Sequence, residues 1–188
     1  IGKGSIVQVM EPNGSIQPLG HTRGIQNYDG PVMILVDKLS ASASEILAGA
    51  FQDYKRGLIV GSNTFGKGTV QRLENLSYGQ LKFTEQKFYR VSGKSTQNLG
   101  VIPDINLPYV FDSEEVGEMA LENSLPYDDI SSLEYEPFNS TSNIEMIQSF
   151  SKKRVSDSNL NEYIKDQKIH SKNELDKKLI PVNYLVRK

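Results

Sequence analysis

An α/β fold followed by a mainly helical C-terminal extension is expected from three features of this 188-residue chain. An unbroken apolar run, VMILV at 32–36, is followed by a helix-spaced segment and then by a second short apolar run, LIV at 58–60. Strand, helix and strand over about thirty residues is the size of a right-handed parallel crossover unit. After residue 110 the strand patterns give way to acidic, polar sequence with helical periodicity.

In chain order, SIVQVM at 5–10 alternates apolar and polar like a strand, and EPNGSIQPLGHTRGIQNYDGP reads as a loop-rich connection with Asn13-Gly14 as a hairpin turn. VMILV lacks alternation and is bounded by Gly30-Pro31, which suits a parallel strand buried on both faces. SASASEILAGAFQDYK sets Ile46, Leu47, Ala50, Phe51 and Tyr54 at helical spacing, with Gly57 as the stop. GSNTFGKG is a Gly-rich loop. TVQRLENLSYGQLKFTEQKFYRV predicts two extended segments about Tyr78-Gly79, with the alternation slipping near Gln86, where a bulge is expected. GKSTQNLGVIPDINLP reads as a turn, a short strand and a Pro-marked end.

A boundary at 110 divides the chain into 1–110 and 111–188, because the net charge changes sign there from positive to negative. The acidic stretch from Asp112 to Glu136 is expected to be a connector with one short helix. SNIEMIQSFSKKRV and LNEYIKDQKIHSKNELDKKLI are expected to be amphipathic helices, and the closing PVNYLVRK is strand-like.

Composition narrows the chemistry. A net charge of -2 argues against a nucleic-acid partner, since phosphate neutralisation needs a surplus of Lys and Arg. No window reaches the roughly 20 apolar residues of a membrane-spanning helix. With no Cys there are no disulfides, thiolate metal sites or Cys nucleophiles, and the only imidazoles are His21 and His170, both expected on the surface.

Ligands of parallel sheets bind beyond the carboxyl ends of the strands. Two unusual loops leave that edge, KLSASASE after 32–36 and TFGKGT after 58–60, so neighbouring strands would bring Ser42 and Lys67 to one crevice. Ser42 opens the helix, beside free backbone N–H groups and the positive end of the helix dipole. A serine nucleophile needs a base, and a partly buried, neutral lysine is the candidate where His is scarce. Burial of Lys67 without a counter-ion would favour that role, with Gly66 and Gly68 admitting close backbone approach and Phe65 and Val70 excluding water. Simpler readings stand beside this one. Ser42-Ala43-Ser44-Glu45 is an S-x-x-E capping box, a Gly-flanked Lys is a common turn residue, and Asp53 is a surface partner for Lys55 or Arg56. Gln71 reads as an outward strand residue and Lys152-Lys153-Arg154 as a solvated helix face. Gly61 to Lys67 also matches the nucleotide-binding pattern G-x-x-x-x-G-K. That match fails at Gly68, where Ser or Thr should hold Mg²⁺, and again in TVQRLENL, which alternates like a strand where a helix should begin.

SASASEILAGAFQDYKRGLIVG, TFGKGTVQ and KFYRVSGKSTQNLGVIPDI, in this order and spacing, resemble the tail-specific or carboxy-terminal processing proteases, a family of Ser-Lys peptidases. SLPYDDI and PVNYLVRK resemble the larger tail-specific branch, which carries a C-terminal helical region. The resemblance implies a ClpP/crotonase-like core of spiralling β-β-α units, present in part, with no cofactor and no metal. It implies Ser42 as nucleophile, Lys67 as general base, Gln71 as the support of that lysine, Asp53 as an aspartate implicated in activity, and the Ala43 backbone N–H as oxyanion donor. The implied substrates are proteins or peptides with exposed C-termini, with an adaptor protein as a further partner, in the bacterial cell envelope or periplasm. The family's usual layout places a PDZ domain and a Gly-rich strand ahead of the first residue here, so a piece of a larger protease is expected. The alternative is a catalytically idle fragment that serves as a binding or scaffold module.

Overall fold

The computed structural model describes residues 2–22, 24, 26–111, 116–138, 143–177 and 182–183. It is a mixed α/β structure with a helical C-terminal part, as expected. Two sheets flank one helix. The first is antiparallel with order β2-β1-β6-β5, from β1 (Gly4–Met10), β2 (Ile16–His21), β5 (Thr69–Asn75) and β6 (Gln80–Tyr89). The second is parallel with order β3-β4-β7, from β3 (Met33–Val36), β4 (Leu58–Gly61) and β7 (Ile105–Asn106).

The helix between them is α1 (Ala43–Asp53). Ala48 and Phe51 pack with Val36, Ile59, Val101 and Ile34 of the parallel side, while Ile46 packs with Val7, Val9, Phe88 and Val70 of the antiparallel side. Two faces of one short helix therefore bury apolar surface, which fixes where its N-terminus points.

The hairpin at Asn13-Gly14 forms, with Gly14 at φ 81, but the segment after it is not loop. It is β2, paired with β1 from Gly4↔His21 to Met10↔Ile16. Pro18 and Gly20 hide this strand from pattern reading, and its place at a sheet edge is what tolerates them. The expected bulge is present: Val70 pairs with Gln86 and Gln71 with Thr84, leaving Glu85 without a cross-strand partner. The expectation that β3 is buried on both faces fails. Met33 is 58% exposed and Leu35 73%, because β3 is an edge strand and α1 covers only the Ile34–Val36 face.

A strand follows the Gly61–Lys67 loop, so no helix N-terminus is present to cradle phosphate. A 3₁₀ turn (Glu118–Ala120), α2 (Ile144–Ser156) and α3 (Leu160–Leu175) complete the described elements. The strand-like PVNYLVRK lies outside the described residues apart from Val182 and Asn183.

Candidate active site

β3 and β4 lie side by side in parallel register, Val36 opposite Gly61, so the loops that leave their carboxyl ends meet. Phe65 N–H donates to the Ser40 carbonyl at 2.9 Å, joining the two loops directly. The residue that organises the junction is Glu45, fully buried in the first turn of α1.

Its Oε2 accepts from Ser42 N–H at 2.8 Å and from Lys67 N–H at 2.9 Å. Its Oε1 accepts from Gly66 N–H at 2.8 Å and from the Thr64 hydroxyl. One carboxylate oxygen thus pins the backbones of Ser42 and Lys67 together. Burial pushes the Glu45 carboxyl above its usual value, and the four donors, Thr64 first, pull it back. Sequence reasoning saw Glu45 only as half of a capping box. Its hold on Ser42 N–H is that half-box, whereas its hold on the second loop is purely tertiary.

Ser42 caps α1 with φ 56 and ψ -111, a conformation that non-glycine residues rarely adopt. Strain of this kind persists where surrounding bonds over-determine it, here the Glu45 bond to its N–H and the Glu45 and Ile46 N–H groups on its carbonyl. Ala43 is the first helical residue, so its N–H has no intrahelical acceptor.

The Lys67 side chain is half-buried, and its Nζ donates to Thr69 Oγ1 at 2.9 Å and to the Thr69 carbonyl at 3.2 Å. Burial lowers its pKa below that of an ordinary lysine. The Glu118 carboxylate opposes that shift, the Lys82 ammonium adds to it, and Glu45 opposes it again. Burial without a counter-ion would favour a base most, and here two carboxylates act on the amine against the burial. Gly66, at φ 95, is required by close approach, since a Cβ there would sit 2.8 Å from the Asn98 backbone.

The other expected site residues lie apart. Gln71 is exposed on β5 and makes no hydrogen bond to Lys67; Thr69 holds that amine instead. Asp53 ends α1, roughly 16 Å along the helix axis from Ser42 at 1.5 Å per residue. Its ion-pair partner is Arg90, 37 residues along the chain. Arg90 Nε donates to Asp53 Oδ2 at 3.0 Å and Arg90 Nη2 to Oδ1, while the Ser92 hydroxyl adds a bond of 3.0 Å to Oδ2. His21 and His170 are both exposed.

Lys38 went unremarked in the sequence although it stands four residues before Ser42. It is buried with its Nζ on the Thr64 carbonyl at 3.0 Å, and burial lowers its pKa while Glu45 opposes. No local signal distinguishes it from a surface lysine, because its burial comes from residues far along the chain.

Comparison with known proteins bears on this arrangement. The chain is 37% identical over 205 residues to the tail-specific protease of Haemophilus influenzae, covering 100% of this chain and 29% of that protein. It is 47% identical over 76 residues to the carboxy-terminal-processing protease of Bartonella bacilliformis, covering 40% of this chain and 18% of that one. Among solved structures, a photosystem II D1 C-terminal processing protease aligns with TM-score 0.49 and 35% identity, over 60% of this chain and 30% of that chain. The chain therefore spans less than a third of the length of these relatives. Residues 111–188 match the C-terminal domain of tail specific protease. Residues 1–107, more than half of the chain, match Peptidase family S41, and the chain belongs to that family.

Proposed function

We propose that this chain forms part of a serine endopeptidase that cleaves protein substrates near their C-termini, with Ser42 as nucleophile and Lys67 as general base. The observation that carries the reading is the shared Glu45 oxygen, which holds the backbone of a strained helix-capping serine against that of a lysine whose pKa burial lowers. In this reading Ser42 Oγ attacks the scissile carbonyl and its proton passes to Lys67 Nζ. The Ala43 N–H stabilises the oxyanion, and Lys67 returns the proton to the leaving amine. Water then hydrolyses the Ser42 ester, with Lys67 again taking the proton. Gln71 supports the lysine once substrate is bound, and Asp53 contributes by anchoring the far end of α1 through Arg90. No cofactor or metal takes part. Residues 1–110 supply the peptidase chemistry and 111–188 a helical module, with protein substrates and an adaptor as partners, in the bacterial cell envelope or periplasm.

Fluorophosphonate labelling tests the nucleophile. The expected result is covalent modification at Ser42 in the wild-type chain and none in Ser42→Ala, with Ser44→Ala still labelled. A folded wild-type chain that stays unmodified at Ser42 points instead to the idle binding or scaffold module.

A further inference from the structure

The segment after residue 115 crosses back over the loop that carries Lys67. Glu118 N–H donates to the Phe65 carbonyl at 2.9 Å, and the Glu118 side chain is buried beside Gln97, whose Nε2 lies 3.4 Å from Glu118 Oε1. The same Gln97 amide accepts Gly68 N–H on its Oε1 at 2.9 Å and donates to the Leu125 carbonyl at 3.0 Å. Gln97 is 2% exposed, so it serves as an internal clamp between the loop and the later segment. Asn98 repeats the link, with its N–H on the Gly66 carbonyl at 2.8 Å and its side chain on Leu125 O at 3.0 Å.

Gly117 fits only as glycine. Its φ is 142, and a Cβ would stand 2.9 Å from both the Phe65 carbonyl oxygen and Lys38 Cε. The two residues on either side of Lys67, Gly66 and Gly68, are therefore bonded to Asn98 and Gln97, and both of these to the segment that follows the family core.

We propose that Gly117-Glu118, contributed by the C-terminal module, is a positioning element for Lys67: Gly117 seats the loop, and the Glu118 carboxylate sets the environment of the amine. The inference rests on Lys67 being the base, and it assigns the C-terminal module a part in the chemistry of the core. Three charged groups act on the Lys67 amine: Glu118 from the 3₁₀ turn, Lys82 from β6 and Glu45 from α1. Glu118 is the strongest of the three. A neighbouring carboxylate favours the protonated ammonium, so removing it makes the neutral base available at lower pH.

The test uses the whole chain with ¹³C-labelled lysine. The Lys67 resonance is identified by its loss in Lys67→Arg and followed against pH in the wild type, Glu118→Gln and Glu118→Asp. The expected result is a Lys67 midpoint that falls in Glu118→Gln and moves less in Glu118→Asp, which keeps the charge. The pH at which fluorophosphonate labels Ser42 should fall in parallel. Gly117→Ala, with Glu118 intact, should slow labelling by up to about 10²-fold through displacement of the loop. An unchanged Lys67 midpoint in Glu118→Gln overturns the proposal, and so does Gly117→Ala labelling at the wild-type rate. Should Glu118→Gln fail to fold, Gly117→Ala still decides, because labelling at the wild-type rate by that variant overturns the proposal. Failure of the wild type to label at Ser42 would instead sink the Ser-Lys reading, while the resonance titration still reports on Glu118.

Discussion

Ser42 and Lys67 are held by backbone bonds: Lys67 Nζ donates to Thr69 while both N–H groups share Glu45 Oε2. The proposed Ser-Lys dyad would require the lysine to exchange its Thr69 bond for the serine hydroxyl when substrate is present, a tightening common in free enzymes. If Lys67 is a general base it must spend part of its time neutral, whereas Arg stays protonated at a pKa above about 12. Lys67→Arg should then lose Ser42 labelling as completely as Lys67→Ala. Retention of a tenth or more of the wild-type rate, a loss of only about 1.4 kcal/mol, would show that charge alone suffices. On the same reading the wild-type rate should rise with pH through the Lys67 midpoint, because the deprotonated amine would be the reactive form. Burial lowers that midpoint, so the rise should begin below the range of an ordinary lysine.

At the scale of elements, α1 is fixed at both ends by buried carboxylates that do different work. Glu45 ties its start to the Lys67 loop, and Asp53 ties its end to Arg90, the residue after β6. The Asp53–Arg90 pair is nearly enclosed, with side-chain exposures of 8% and 12%. Breaking such a pair from either side leaves an uncompensated buried charge, typically at a cost of about 3 kcal/mol. We expect Asp53→Ala and Arg90→Ala each to lose about that much in urea unfolding, and the double variant to lose at least about 1 kcal/mol less than their sum. Ser42 labelling should fall in each only with the folded fraction. Additive losses would show that the pair is not coupled, whereas a fully folded Asp53→Ala that no longer labels would give Asp53 a direct part in the chemistry.

Across the whole molecule, the family matches to 1–107 and 111–188 meet near residue 110, yet hydrogen bonds cross freely from one to the other. Ile130 N–H bonds Gly93 O at 3.0 Å, Leu133 N–H bonds Val91 O at 2.9 Å and Phe138 N–H bonds Tyr54 O at 2.7 Å. Lys87 and Tyr89 both reach Asp128, and Gln148 of α2 reaches the Asp104 carbonyl next to β7 at 2.7 Å. Such interlocking predicts that the two parts melt together. Calorimetry should show one transition whose calorimetric and van't Hoff enthalpies agree; two resolved transitions would mean that the division near 110 separates independent folding units.

Much of this was legible in the chain. Hydrophobic runs at 32–36 and 58–60 about a helix-spaced segment dictate the parallel unit, because apolar periodicity responds to which face of an element is buried. The slip in alternation near Gln86 likewise located the bulge at Glu85, since a strand period of two cannot absorb an extra residue silently. Ser42 and Lys67 were visible as a helix cap and a Gly-flanked loop residue, which are local features with local signals, while the family resemblance alone turned those readings towards catalysis. β2 was hidden because Pro18 and Gly20 are tolerated only by virtue of its edge position, and the exposure of Met33 and Leu35 followed from what packs beside β3. The burial of Glu45, Lys38 and Gln97, the pairing of Asp53 with Arg90, and the return of Glu118 to the Phe65 carbonyl join positions tens of residues apart. A single sequence carries no periodicity for such contacts. Only the folded chain, by excluding water from these groups and matching each donor to an acceptor, decides which polar residues become part of the site.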